Sequence, residues 1–400
     1  MFKVNDSMSE NEGQTQCGIA SDECPHLLWP VPFWKRACNL LAWVEKHKGM
    51  FAAGIVGACF AECLSFVFAA SWYTNEVFTT RFTGLSQNPF QVGDVPIPYS
   101  EHRLRLLGPV IAWAVGLRGI GGTLIPVLAN IPMLGLIYIF IRQRTSVQMG
   151  LISVMLLATT HLTMTSRTLL GYHDSLVYIC CLGALLVVKK PVLQGLFLFL
   201  AMYGDMRAIL ICPFILIWPE EKNALPMYGE MAKRTVVCIS TAILWAVSAK
   251  LLLHLFQYDQ MTTSRLAKYI GGGYLDAIHP KYLHLSAFMT FKAGWLFLFI
   301  AIWRFWLKSR ILGAYVLVAL FLIVVPAILV HDVSRALGFC FPLIILGLVE
   351  LWRVDREICL VTAGVCLAIN LLTPFYHGFT FDLWEMSYPL PLEIVRQYLG

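Results

Sequence analysis

Long apolar runs separated by short polar strips set the pattern of this chain. The runs fall at roughly 50–71, 122–141, 147–164, 176–188, 191–203, 208–218, 235–255, 285–303, 310–330, 336–351 and 357–373. Period-2 alternation does not dominate any of them, so they read as helices. Several are shorter than the ~20 residues a perpendicular membrane span needs. Their ends extend into neighbouring polar residues, or they are half-spans inside a bundle, where broken backbone is tolerated. The pattern predicts an all-α, polytopic membrane bundle of about 10–12 transmembrane helices.

One run is ambiguous. LLGPVIAWAVGL at 106–117 is apolar but only twelve residues long. If it does not cross, the short inside loops hold Arg142 and Arg144, Lys189 and Lys190, Lys222 with Lys233 and Arg234, Arg304 with Lys308 and Arg310, and Arg353 with Arg356. Such a basic bias is expected of cytoplasmic loops. The segment is therefore read as a re-entrant or membrane-lying helix within an outer loop at 72–121. Three regions follow: a cytosolic tail with an interfacial helix at 1–49, a transmembrane domain at 50–373 and an aromatic tail at 374–400.

Composition sharpens the class. The chain has 400 residues, 58% of them hydrophobic and 14% charged. A soluble protein carries nearer ~25% charge. The net charge of +6 is spread over short clusters and does not point to nucleic acid. Most of the 12 cysteines lie in apolar runs, where they act as small hydrophobes. The N-terminus lacks the basic-then-apolar order of a signal peptide. The address expected is the cell (inner) membrane if the chain is bacterial and the endoplasmic reticulum membrane if it is eukaryotic.

The same topology puts several charged strips on one outer face. SEHRLR at 100–105 holds Glu101, Arg103 and Arg105, in a loop that also contains Asp94. A carboxylate there could act as a general base or hold a divalent ion, Mg or Mn, although no cofactor is certain. The arginines could fork onto phosphate, or simply snorkel to lipid headgroups. TSRTLLGYHD at 165–174 brings Arg167, His173 and Asp174. Asp174 precedes an apolar run and could equally cap the next helix. YGDMR carries Asp205 and Arg207, and HDVSR carries Asp332 and Arg335. Each pair is either a structural ion pair or a substrate contact. Within the spans, Glu62 and Lys292 are functional hypotheses by default. The histidines show no metal-ligand spacing such as HExxH.

The layout over about 50–210 resembles the polytopic glycosyltransferases that use lipid-linked sugars, the GT-C type. The matching features are the first outer loop, 72–105, and the apolar stretch 106–117. No Asp-x-Asp or Glu-x-Asp pair occurs in that loop. The resemblance implies sugar transfer from a polyprenyl-phosphate donor. Glu101 or Asp94 would be the catalytic carboxylate, and arginines such as Arg103, Arg105, Arg207 and Arg335 would neutralise the lipid phosphate. Membrane lipids and that donor are the partners implied. The alternative is a transporter or lipid flippase with a path past Glu62 and Lys292. A non-catalytic scaffold is a third reading.

Overall fold

The computed structural model describes residues 32–66, 76–90, 104–169, 171–219, 228–256, 280–328, 332–378, 383–389 and 392–395. The helices are α1 (Pro32–Lys48), α2 (Met50–Leu64), α3 (Glu76–Gln87), α4 (Leu107–Ala114), α5 (Leu124–Arg142), α6 (Val147–Ala158), α7 (His161–Thr168), α8 (Asp174–Leu186) and α9 (Pro191–Gly204). They continue with α10 (Cys212–Ile217), α11 (Tyr228–Leu255), α12 (Pro280–Phe291), α13 (Trp295–Lys308), α14 (Arg310–Ile328), α15 (Val333–Gly338), α16 (Phe341–Val354) and α17 (Arg356–Leu372). One antiparallel hairpin follows, β1 (Phe375–Gly378) with β2 (Leu383–Ser387).

Among the described residues, four stretches are long and apolar enough to cross a membrane: Gly119–Arg142, Tyr228–Leu255, Leu283–Lys308 and Arg310–Ile328. The pair α6 and α7, bent by 50°, makes a fifth if it is one broken span. Shorter apolar helices, α2, α8 and α9 among them, fill out the bundle. The chain is thus an all-α, multi-pass membrane protein.

The helices run between two ends. Ser175 at the start of α8 donates its Oγ hydrogen to Pro126 O, in the first turn of α5, at 2.5 Å. At the other extremity of α5, Arg142 Nε donates to Glu45 Oε2 at 3.0 Å. The helix α16 makes the same traverse, from beside Arg335 to Glu350 and Arg353. One end therefore collects aspartates and arginines together, and the other is basic. Local signals set the turns between them. Ser146 and Asp355 cap α6 and α17 by accepting from Met149 N (3.2 Å) and Ile358 N (2.9 Å), and Pro191 opens α9, where its missing N–H is harmless.

Close helix crossings rest on small residues, as is usual where no solvent drives helices together. A Cβ on Gly54 would stand 2.9 Å from Gly135 O, so α2 and α5 touch backbone to backbone. Gly347 of α16 lies against the Phe297 carbonyl of α13, leaving no room for a Cβ.

Two flanking segments pack against the helices. The helix α1 folds back along α2: the Phe33 and Phe60 rings are 5.6 Å apart, and Leu41 packs near Gly57. The C-terminal segment also joins the bundle, since Phe375 is fully buried against the ring of His161 at 5.5 Å. The helix α4 has eight residues, about 12 Å of rise. That cannot cross a ~30 Å core. It stays at the mixed-charge end, with Leu107 beside Gly204.

Candidate functional site at the mixed-charge end

Strips far apart in sequence converge on Arg335. Its guanidinium grips Asp174 with both arms, Nε to Oδ2 and Nη2 to Oδ1, each at 2.6 Å. Nη1 reaches Asp332 Oδ2 at 3.2 Å, and Nη2 lies 3.6 Å from Asp205 Oδ2. The plane of the group lies over the Tyr172 ring, Cζ to centroid 4.1 Å. Arg335 sits in the short helix α15, whose N-cap is Asp332. Asp174 does not act as a cap. Ser166 Oγ accepts the Ser175 N–H at 3.2 Å instead, which leaves the Asp174 carboxylate for Arg335.

Asp205 ties in a second arginine. It accepts from Arg207 N (2.9 Å), Nε (3.0 and 3.1 Å) and Nη2 (2.6 Å). Arg105 Nη2 approaches the same carboxylate at 3.6 Å. The Asp205 side chain is 2% exposed, whereas Arg105 and Arg207 are 22% and 16% exposed and form the rim. Burial alone would raise the Asp205 carboxyl, but the Arg207, Arg105 and Arg335 charges together hold it well below the usual range. Among the described residues, three aspartates balance three arginines here.

His173 forms part of the wall. Its Nε2 donates to Gly204 O at 2.8 Å, and a carbonyl only accepts, so the hydrogen is on Nε2. Nδ1 then carries a lone pair, and it is buried with no hydrogen-bond partner among the described residues. The ring fits because Gly108 and Gly204 lack side chains and Phe82 packs 6.1 Å away. Burial first, and the Arg105 charge second, push the imidazole below its ordinary value.

A hydroxyl chain leaves the cluster. Asp332 Oδ1 lies 3.5 Å from Ser334 Oγ, which lies 3.0 Å from His161 Nε2. His161 Nδ1 meets Thr165 Oγ1 at 2.6 Å, and that hydroxyl donates to His161 O at 2.9 Å. Nearby, Lys292 adopts φ 49, uncommon for a residue with a side chain. Its Nζ donates to Asn370 O (3.0 Å) and Thr373 O (2.9 Å).

Of the residues singled out from sequence, Arg105, His173, Asp174, Asp205, Arg207, Asp332 and Arg335 meet in this place. Arg167 does not join them. Its Nη2 forms an ion pair with Glu62 Oε1 at 2.5 Å, and Nη1 donates to Ser65 O and Oγ, both at 3.0 Å. Asp94, Glu101 and Arg103 lie outside the described residues. Tyr172, Ser334 and His161 were not assigned site roles from sequence. Tyr172 had an available signal, since it adjoins His173 in the same strip.

No group of three or more His, Cys, Asp or Glu side chains among the described residues is arranged to hold a metal ion. Asp174, Asp205 and Asp332 are each committed to guanidinium groups and do not fit one. Comparison with protein-family models, curated proteins and solved structures finds no match.

Proposed function

We propose that this chain is a membrane glycosyltransferase that takes its sugar from a polyprenyl-phosphate donor at the mixed-charge end. The observation behind the reading is the convergence of Arg105, Arg207 and Arg335 with Asp205 at one place. Arg335 is fully used by its carboxylates and works as an anchor. Arg105 and Arg207 stand at the rim, where a phosphate could take up their outer donors. Sugar hydroxyls would meet acceptors such as His173 Nδ1, and Glu101 or Asp94 would supply the base. A divalent ion, if used, would depend on those same two carboxylates. The membrane would be the cell membrane in a bacterium or the endoplasmic reticulum in a eukaryote.

The transporter or flippase reading leaned on Glu62 and Lys292. Each finds local partners, Arg167 for one and two carbonyls for the other, and so adds nothing specific to that reading.

The test uses membranes containing the full chain and a radiolabelled polyprenyl-phosphate hexose. Label should pass to a new product. The double variant Arg105→Gln/Arg207→Gln should lose at least about ten-fold of that transfer at unchanged abundance, since each charge-assisted bond is worth ~1.5–3 kcal/mol. Unaltered transfer in the double variant would reject the site. Label crossing the bilayer with its sugar–phosphate bond intact would favour a flippase.

A further inference from the structure

The basic end of the bundle holds a second concentration of charge that the proposed reaction does not use. Glu350 on α16 is buried, and three cations address it. Lys308 Nζ lies 2.7 Å from its Oε2, Arg304 Nε lies 4.0 Å from Oε2, and Arg353 Nη1 lies 2.5 Å from Oε1. One carboxylate thus faces three positive groups. Arg144 adds a fourth. Its guanidinium lies 3.8 Å over the Phe140 ring, and Nη1 donates to Phe140 O at 3.2 Å. Burial, and then the Arg353 charge, push it down to about 10.

Two donors here are unmet. Arg144 Nε and Arg304 Nε are buried with no hydrogen-bond partner among the described residues. Buried N–H groups are rarely left so. Glu350 Oε2 stands 4.0 Å from Arg304 Nε, beyond hydrogen-bond reach, and no described residue supplies an acceptor within that reach for Arg144 Nε. The other described carboxylates close in sequence do not fill the role. Asp355 is used as the cap of α17, and Glu357 is exposed. Arg310 and Arg356 only add positive charge.

The surroundings select the acceptor. On the same turns, Trp303, Trp306, Leu307, Val354 and Ile358 expose apolar side chains. Tryptophan favours the headgroup level of a bilayer. A ligand with a phosphate for the guanidinium groups and acyl chains for these side chains matches both features. We propose that Arg144, Arg304, Lys308 and Arg353 form a binding site for the headgroup phosphate of an anionic phospholipid. The site is independent of the transferase reading and would stand if that reading failed.

The test is native mass spectrometry of the full chain released from nanodiscs holding equal amounts of phosphatidylcholine and phosphatidylglycerol. Phosphatidylglycerol should be retained preferentially. Arg144→Gln/Arg304→Gln should reduce that preference, by about five-fold per charge removed. Arg118→Gln, on the opposite end, should leave it unchanged. If the double variant does not elute as folded protein, Arg304→Gln alone is read, with a five-fold loss expected. Equal retention of both lipids by the wild type overturns the proposal. So does a preference that survives in folded variants. Saturation of the same residues by inorganic phosphate in detergent, with no gain from phosphatidylglycerol, would make this a soluble-phosphate site and overturn the lipid assignment.

Discussion

His173 shows how much a single buried ring can set. Burial first, and the Arg105 charge second, favour the neutral form against the pull of the Nε2–H bond to Gly204 O, so the pKa lies below the unfolded value of ~6.5. As pH falls below ~6.5, the unfolded chain takes up a proton that the folded ring refuses, and stability drops. Asp205 behaves oppositely in position though not in sign. Its depressed pKa contributes stability above the unfolded carboxyl value of ~3.9, lost only as pH falls through the folded value. Between pH ~7.5 and ~5.5 its contribution is constant, so the slope there reports imidazole. The melting temperature of the purified protein should decline across that window, and His173→Gln should flatten the decline. An unchanged slope in the variant would show that the ring titrates freely. At this scale the sequence was partly legible. Asp205 with Arg207 and Asp332 with Arg335 are two and three residues apart, and such spacing announces a pair. Asp174 with Arg335 is not readable, because 161 residues separate them. Nor is the use of Ser166 as the donor's partner at the start of α8.

Among the elements, apolar runs were readable as helices because composition and length decide that much. Breaks were not. The bend between α6 and α7 comes at Thr159 and Thr160, whose hydroxyls donate back to Leu156 O and Leu157 O, each at 2.7 Å. The kink at Lys292 depends on carbonyls supplied by α17 and the residue after it. The hairpin depends on burial of Phe375, which only the folded bundle provides. Helix crossings are the sharpest element-level feature. Gly347→Ala should push α13 and α16 apart at the Phe297 carbonyl and cost about 1–3 kcal/mol or more by thermal or denaturant unfolding. Gly229→Ala, with nothing within 4 Å of the new Cβ, should be tolerated. Equal effects at both positions would mean that the crossing is looser than described.

For the whole molecule, the alternation of polar strips predicted two faces, and the charges do gather at two ends of one bundle. The strips 100–105, 165–174, 203–207 and 331–335, assigned to one face from sequence, each bring a side chain to the cluster about Arg335, the first through Arg105, while Asp94, Glu101 and the outer loop 257–279 lie outside the described residues. Orientation can be measured directly. With the exposed Cys59 and Cys63 replaced, cysteine at Met206 should react with a membrane-impermeant reagent from outside, and cysteine at Gln143 only after the membrane is opened. Labelling of both from the same side would dissolve the two-ended arrangement.

The long separation of Asp174 from Arg335 also has a consequence in time. At about 5–20 residues per second, a chain being synthesised needs roughly 10–30 s to travel from one to the other. Through that interval Asp174 has entered the nascent bundle without its arginine, and a carboxylate with no partner is costly away from water. The ion pair that joins the strips is therefore a late closure, made after most helices are in place. A ribosome stalled before residue 335 would leave a bundle with its principal acid still unclaimed.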